Sequence, residues 1–402
     1  MKKQKLFSLV LAVILALSVV ACANQGDAPA PSSSDAPNTA DNSPVATSPP
    51  AGSESSPPTA QAPVGGEHVG YWDDPVDHYA RPAYRIAHYS FGSGTMIDRY
   101  YEALQKCQEK MNITVDFVTA NGDDEKFINN LELMSDRDGL LVDTNPNLSV
   151  RAFEVLTEMG KPWIAFSMPF QNLDPDPLKI CWPTVALDGF AVGTQSTKWL
   201  IDNYKDYWGE IDTKKLGLIT ITVSTLPLFS TRSDGARDLF QQTFPDSLYI
   251  EGDIAGQQFT AEAAYNMISA YVSANPGTEY WMINVVMAMV APGVARAIET
   301  LGVEDRVLIT CCESPTAVEE WDSGYDGSWV SAVGIAEEIY AVPATAGLVA
   351  LIDGRATPDT LWADSKRAPY GDDYALFPME LEVITRDTYK AYFENIDTTY
   401  FS

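Results

Sequence analysis

The chain has 402 residues, and 55 acidic side chains against 26 basic ones give it a net charge of −29. Such an acidic surface disfavours binding to nucleic acid or to anionic lipid, but it says little about a neutral ligand. The histidines His68, His78 and His88 are scattered, and no cysteine pair has the spacing of a zinc site. We therefore expect no metal and no cofactor.

Residues 1–21 have the pattern of an export signal. Basic residues up to Lys5 precede an almost wholly apolar run from Leu6 to Val20, which is shorter than the ~20 residues of a membrane-spanning helix. Cys22 directly follows Val-Val-Ala, which resembles the lipobox of bacterial lipoproteins and implies cleavage before Cys22 and its lipidation. The alternative is an ordinary secreted protein in which Cys22 is incidental. We expect a bacterial protein, lipid-anchored to the extracytoplasmic face of the membrane, at the cell surface or in the periplasm.

Residues 22–66 form a tether between this anchor and the folded part of the chain. The segment is rich in Pro, Ala and Ser and contains no aromatic residue. It cannot bury enough apolar surface to order itself, so we predict disorder. About 335 residues remain after it, enough for two lobes of ordinary size.

The first half of the folded part alternates short apolar strands with single helices. Strands are predicted over 85–89, 114–118, 139–143 and 163–166, and helices over 97–111, 123–134 and 150–159. This alternation indicates a doubly wound α/β layer with a parallel sheet covered on both faces. Cys107 lies at helical spacing from Tyr100 and Leu104, which favours a place in the core.

The same rhythm starts again in the second half. Strands are predicted over 181–185, 216–221, 248–250, 280–285, 307–310 and 330–333, with helices beginning near Phe190, Thr231, Ala261, Pro292 and Thr316. A long apolar helix over 337–352, a strand over 379–384 and a short helix over 387–393 complete the chain. Cys311 and Cys312 form either a strained vicinal disulfide or, more readily, two free thiols. Two such layers predict two lobes with a cleft, where ligands bind beyond the carboxyl ends of the strands.

The order and spacing of these segments resembles the type I periplasmic binding proteins, the sugar-binding group, over about residues 85–392. The most telling segments are 85–89 with 93–96, 138–142, 160–165, 232–235, 295–298 and 346–354. The resemblance implies two doubly wound parallel-sheet lobes joined by three crossing segments, which would hinge shut on a ligand. The implied N-terminal lobe comprises 84–187 and 336–377, and the C-terminal lobe 188–335 and 378–402.

The resemblance also implies ligand-binding residues in the C-terminal lobe. Arg232 falls on the family's ligand-binding arginine, whose guanidinium can fork across two sugar oxygens or a carboxylate. Asn284 and Glu313 fall on an asparagine and an aspartate that follow strands, and their side chains suit hydroxyl groups. The alternatives are an arginine facing solvent, an asparagine that caps the next helix and a surface acid.

The N-terminal lobe departs from the family at its ring-stacking positions. Ser93, Thr95 and Met96 stand where the family has an asparagine and two aromatic residues. The resemblance therefore leaves Ser93 and Thr95 as polar ligand candidates. Three phenylalanines are candidates to stack on the ligand instead, unless they belong to the core: Phe91, Phe170 and Phe259.

A second departure concerns the groups that clamp sugar hydroxyls. Ser167-Met168 replaces an Asp-Arg pair of the monosaccharide-binding members, which leaves Ser167 as the polar candidate there. Glu337 or Glu338 is the nearest polar residue where the family often has a ligand-binding glutamine. The resemblance therefore predicts the fold but not the identity of the ligand, which is a sugar or another small polar molecule.

These observations predict a lipid-anchored solute-binding protein of an ABC importer, a monomer that docks on a permease and binds no nucleic acid. The alternative is a sensory module of the same fold that serves a chemoreceptor or a sensor kinase. An enzyme is disfavoured, because the sequence has no G-x-S-x-G, P-loop or H-E-x-x-H motif and hence no predicted catalytic residue.

Overall fold

The computed structural model describes residues 70–170, 178–257, 259–366, 370–371 and 373–401. The predicted signal peptide, Cys22 and the predicted tether lie outside the described residues. Within the described ranges, no helix combines the length and the apolar character that a membrane crossing requires.

The first lobe is built on a five-stranded parallel sheet with strand order β2-β1-β3-β4-β5. Its inner strands β3 and β4 are buried and almost wholly apolar, as expected where both faces of a parallel sheet are covered. The strands are β1 (Tyr84–Ser90), β2 (Ile113–Thr119), β3 (Gly139–Asp143), β4 (Trp163–Phe166) and β5 (Thr184–Val185).

The second lobe is built on a six-stranded sheet with strand order β11-β10-β9-β8-β6-β7. All neighbouring pairs are parallel except β10 and β11, which are antiparallel. The strands are β6 (Leu216–Thr222), β7 (Leu248–Asp253), β8 (Tyr280–Val285), β9 (Val307–Cys311), β10 (Trp329–Val333) and β11 (Val383–Thr385). Together the two sheets confirm the predicted pair of doubly wound α/β layers.

Helices alternate with the strands and cover both sheets. They are α1 (Thr95–Met111), α2 (Asp124–Glu132), α3 (Ser149–Met159), α4 (Gly189–Trp208), α5 (Pro227–Thr243), α6 (Ala261–Ala274), α7 (Ala291–Leu301), α8 (Pro315–Asp322), α9 (Glu338–Ile352) and α10 (Tyr389–Phe401). Helix α9 is apolar all round because it packs between α1 and strands β3 and β4 of the first sheet. The chain therefore returns from the second sheet to the first lobe through the segment before α9.

Helices α4 and α5 cross with their backbones in close contact. A Cβ atom at Gly193 would lie 1.8 Å from the carbonyl oxygen of Arg232, and one at Gly235 would lie 2.2 Å from that of Phe190. Only glycine allows such an approach at these two positions. The crossing fixes the height and rotation of α5, and with them the origin of the Arg232 side chain.

Some boundaries differ from the sequence prediction. Helix α5 begins at Pro227, four residues before the predicted start at Thr231, because the missing N–H of a proline costs nothing in a first helical turn. Strand β11 spans Val383–Thr385 rather than 379–384, and α10 continues to Phe401 rather than ending at 393. The lobe boundaries and the three crossing segments stay predictions.

Candidate functional site

Arg232 and Glu313 form an ion pair beyond the carboxyl end of the second sheet. Arg232 Nη1 donates a hydrogen bond to Glu313 Oε1 at 2.8 Å and another to the carbonyl oxygen of Val286. The arginine side chain is 2% exposed and that of Glu313 is 14% exposed. Glu313 Oε2 also accepts a hydrogen bond from the backbone N–H of Ala288 at 3.1 Å. Two of the predicted residues thus lie together and hold each other in place.

The ion pair decides the charge that a ligand would meet. Burial lowers the pKa of the Arg232 guanidinium, but the nearby Glu313 carboxylate outweighs this effect and raises that pKa overall. Arg232 therefore stays charged, and its charge is balanced by Glu313. Its Nε is buried without a hydrogen-bond partner among the described residues, so one donor of the guanidinium is unused.

Asn284 is fully buried, and its side chain makes three hydrogen bonds within the second lobe. Its Nδ2 donates to Ser196 Oγ and to Thr197 Oγ1, both at 2.8 Å, and its Oδ1 accepts from Cys312 Sγ at 3.2 Å. These contacts join β8, α4 and the residue that precedes Glu313. In this conformation Asn284 anchors the wall of the site, and Cys311 and Cys312 are free thiols.

Asp143 is the principal polar group at the carboxyl end of the first sheet. It ends β3, is 6% exposed, and accepts a hydrogen bond at 3.0 Å from Ser90 Oγ, the last residue of β1. Burial raises the pKa of the Asp143 carboxyl to about 7, and the hydrogen bond from Ser90 only partly opposes the effect. This acid therefore keeps its proton to a much higher pH than an exposed aspartic acid does.

A run of aromatic side chains connects Asp143 with the ion pair. Tyr100 of α1 packs on Tyr340 of α9 with ring centroids 5.0 Å apart, and on Phe166 at 5.2 Å. Asp143 acts electrostatically on the Tyr100 hydroxyl, and Arg232 and Glu313 act on that of Tyr340. Tyr340, from the helix that packs on the first sheet, therefore lies within electrostatic range of the charged pair of the second lobe.

The other predicted polar residues of the first lobe lie after β1, at the start of α1 and after β4. Ser93 is exposed, and Thr95 is the first residue of α1. Ser167 directly follows β4 and has a positive φ of 67°, a left-handed conformation that serine seldom adopts. Its backbone N–H donates to the carbonyl oxygen of Val185 at 2.8 Å.

The three candidate phenylalanines differ in burial. Phe170 is fully buried and packs on Trp163 with ring centroids 4.8 Å apart, so it belongs to the first-lobe core in this conformation. Phe91 is partly buried and makes an edge contact with Phe127 at 5.8 Å. Phe259 is partly buried against the core of the second lobe. Phe91 and Phe259 keep part of their surface accessible.

Glu337 immediately precedes α9. Its side chain is 12% exposed, and the nearest cation is Arg99 Nη1, 3.9 Å from Glu337 Oε1. Burial raises the pKa of this carboxyl, with Arg99 acting in the opposite direction. Glu338, the other candidate at this point, forms an ion pair with Lys106 at 2.8 Å.

Sequence reasoning missed three residues of this arrangement: Asp143, Tyr100 and Tyr340. The signal for Asp143 was present, because it is an acid at the end of an apolar strand, like the predicted residues of the second lobe. Tyr100 and Tyr340 occupy ordinary apolar positions of helices, and no sequence pattern distinguishes them from core residues. Within the described part of the chain, no cluster of acidic, histidine or cysteine side chains could hold a metal ion.

The family model for a periplasmic binding protein domain matches residues 87–350. The chain therefore belongs to the periplasmic binding protein family, and it is a solute-binding protein rather than an enzyme. A search of curated proteins by sequence gave no match.

Solved structures of solute-binding proteins share this fold. One is an ABC transporter periplasmic solute-binding protein from Actinobacillus succinogenes 130z with bound D-allose, at 18% identity and TM-score 0.58, covering 78% of this chain and 100% of that one. An arabinose-binding protein from Geobacillus stearothermophilus has 15% identity and TM-score 0.60, covering 77% and 99%. A 5-methylthioribose transporter solute-binding protein from Thermotoga lettingae TMO has 19% identity and TM-score 0.56, covering 78% and 89%.

Proposed function

We propose that this protein binds a neutral sugar between its two lobes and delivers it to an ABC importer. The observation that carries this proposal is the charge balance of the site. Arg232 is paired with Glu313 at 2.8 Å, so this buried cation brings its own counter-ion. A ligand that carried a carboxylate or a phosphate would have to compete with Glu313 for it.

The first-lobe wall supports a neutral ligand as well. Asp143 has a pKa of about 7 and no cation among its hydrogen-bond partners. When protonated it can donate to one hydroxyl and accept from another, which is what a polyhydroxylated ligand needs. The unused Nε of Arg232 can donate to a sugar oxygen without disturbing the ion pair.

Structural neighbours support a carbohydrate as the ligand class. One of them holds D-allose, another holds 5-methylthioribose and a third is an arabinose-binding protein, and all three ligands are neutral sugars or sugar derivatives. We propose a sugar for this chain on the combined weight of these neighbours and of the charge-balanced site. We do not propose any one of these three sugars, because Ser167-Met168 stands where monosaccharide-binding members of the family have an Asp-Arg pair that clamps sugar hydroxyls.

Ligand screening by thermal shift tests this proposal. The full chain is screened against pentoses, hexoses, polyols and disaccharides, with nucleosides and amino acids as the comparison set. A ligand at 100 times its dissociation constant adds about 2.7 kcal/mol of stability, which raises the unfolding midpoint visibly. Sugars or polyols are expected to raise it. A response confined to nucleosides or amino acids would contradict the proposal.

We also propose that Cys22 carries a lipid and that residues 22–66 act as a tether. The basis is the sequence alone, an apolar run of export-signal length that ends in Val-Val-Ala-Cys. Cys22→Ala should release the protein from the membrane fraction. A variant that stays in that fraction would contradict the anchor.

The partner of the closed form is the remaining part of the proposal. We propose an ABC permease, because structural neighbours are named as components of ABC sugar transporters. Uptake of the identified sugar should be lost when the gene is deleted and restored when it is returned. Intact uptake together with lost chemotaxis or lost gene induction would favour the sensory alternative instead.

A further inference from the structure

A small apolar gap lies between the two lobes, next to the polar site. Its volume is about 10 Å³, and apart from one tyrosine its lining consists of aliphatic and proline side chains. The lining comes from four parts of the chain: the stretch after β4, with Pro169; the segment before α4, with Leu187; the first turn of α5, with Leu228; and the segment after α9, with Leu376. Leu376, which lies beside β5, closes the gap from another side.

The gap adjoins the residues that define the site. Pro169 lies two residues after Ser167, and Leu228 lies one turn before Arg232 on α5, so the two side chains of α5 share a helix face. Leu187 and Leu376 are 3% and 2% exposed. Helix α5 thus carries a lining residue of the gap and the arginine of the ion pair on one face.

The size and chemistry of the gap select what can fill it. A space of this volume holds about one water or one methyl group. A water molecule or a hydroxyl there would lose its hydrogen bonds to solvent, and the aliphatic and proline side chains that form most of the wall offer it none in return. A methyl group would lose nothing and would remove its own apolar surface from water.

We propose that the ligand is a sugar with a methyl-sized apolar terminus, such as a 6-deoxyhexose, and that this terminus fills the gap when the lobes close. This inference rests on the proposed function and narrows it from neutral sugars to those that lack one terminal hydroxyl. It also gives a role to the stretch around Ser167-Met168, where hydroxyl-clamping charges are replaced by uncharged side chains.

Matched sugar pairs test the inference on the unmodified full chain. Isothermal titration compares D-galactose, D-glucose and L-mannose with their respective 6-deoxy counterparts. In the pair that binds, the deoxy member should bind at least about tenfold more tightly, because the extra hydroxyl of its partner enters an apolar space. Equal affinities, or tighter binding of the hydroxylated member, would overturn the inference and leave the sugar proposal intact. Binding of neither member of any pair would overturn this inference, and the sugar proposal would fall with it only if the pentoses, polyols and disaccharides of the thermal-shift screen also failed to bind.

A substitution in the lining tests whether the preference for the deoxy sugar arises at this gap. Leu228→Asn places an amide in the gap and should reduce the deoxy preference to about threefold or less. Leu239→Asn, on the same helix but outside the gap, should leave the preference as in the wild type. Thermal midpoints of both variants check that they fold, and the wild-type pairs decide the inference without either variant. An unchanged preference in a folded Leu228→Asn protein would contradict the assignment to this gap.

Discussion

The two walls of the proposed site hold their polar groups in different ways. On the second-lobe wall, Arg232 and Glu313 form an ion pair, and Glu313 also accepts a hydrogen bond from the backbone of Ala288. Asn284 is held by hydrogen bonds to other residues of the same lobe, such as Ser196. All these contacts exist without a ligand. On the first-lobe wall, Asp143 is buried with a single hydroxyl partner, Ser90. The second wall is thus pre-organised at fixed charge, whereas the first carries an acid whose protonation state follows the pH. We infer that the second lobe orients the ligand and that the first tunes its affinity.

The largest effect is expected from breaking the pre-organised wall. Arg232→Ala leaves Glu313 largely buried without its counter-ion, which typically costs about 3–5 kcal/mol of folding stability. Affinity for the ligand should fall at least thirtyfold, the equivalent of about 2 kcal/mol. Urea unfolding and isothermal titration measure the two effects. Arg296→Ala, which removes an exposed arginine paired with Glu299, is the control and should cost below about 1 kcal/mol.

Asp143 of the first-lobe wall should make the folding stability depend on pH. The folded-state pKa of Asp143 is raised to about 7, above the unfolded value, so the folded protein holds a proton that the unfolded chain releases between about pH 4 and 7. Stability therefore falls as pH rises through this window. Asp143→Asn removes the free-energy cost of ionising a buried carboxyl and keeps a side-chain oxygen that can accept the hydrogen bond from Ser90. The variant should exceed the wild type by up to about 4 kcal/mol above pH 7.5, with no difference near pH 4.

Asp253 provides a control of opposite sign for that pH series. Burial raises the pKa of this carboxyl, but hydrogen bonds from the Ser224 hydroxyl and from the backbone N–H groups of Ala255 and Ser224 together lower it overall. Asp253→Asn should therefore be less stable than the wild type at neutral pH, with the difference disappearing as pH falls. If Asp143→Asn behaved in the same direction as Asp253→Asn, the account of the first-lobe wall would be wrong.

A smaller effect is expected at the buried amide of the second wall. Asn284→Ala leaves the Cys312 thiol without its acceptor and removes the donor to Ser196 and Thr197, at a cost of about 2 kcal/mol. Asn203→Ala removes an amide on the outer part of α4 that donates to the carbonyl oxygen of Trp199. This control should change the unfolding free energy by less than half as much. Equal costs would show that Asn284 has no special anchoring role.

The smallest effect is expected away from both walls. Lys106 of α1 binds Glu338 at 2.8 Å and Asp397 of α10 at 2.7 Å, and it is 44% exposed. Such exposed pairs contribute below about 1 kcal/mol, so Lys106→Ala should lower stability only by that amount and should leave ligand affinity unchanged. Lys215→Ala, which breaks a similarly exposed pair with Glu279, is the matched control. A large loss of affinity in Lys106→Ala alone would show that α10 contributes to closure.

The same contrast shows how far the sequence could predict this molecule. Runs such as 139–143 and 280–285 are apolar on both faces, which only a covered parallel strand requires, and both are strands with those bounds. Strand β11 was misplaced because the stretch before it alternates apolar and acidic residues like a strand, yet only Val383–Thr385 pairs with β10. Local pattern predicts that a segment is extended, and the neighbour decides where pairing begins.

Some features of the site could be predicted from the sequence and others could not. Arg232 and Glu313 were predicted separately from the resemblance, and their ion pair depends on the α4–α5 crossing that Gly193 permits. The contacts of Asn284 depend on where α4 passes β8, which no local sequence pattern reports. The raised pKa of Asp143 results from burial in the folded protein, so a sequence-based analysis of strand ends can find the acid and not its protonation state.

The central claim is that the cleft accepts neutral sugars because its charges are already balanced. The most direct measurement is isothermal titration of the full chain, at neutral pH, with the best-binding neutral sugar and with its uronate and amino-sugar derivatives. The account predicts that each charged derivative binds at least about 100-fold more weakly, a difference of about 2.7 kcal/mol. A uronate that bound as tightly as the neutral sugar would show that Arg232 is free to take a carboxylate, and the account would fail.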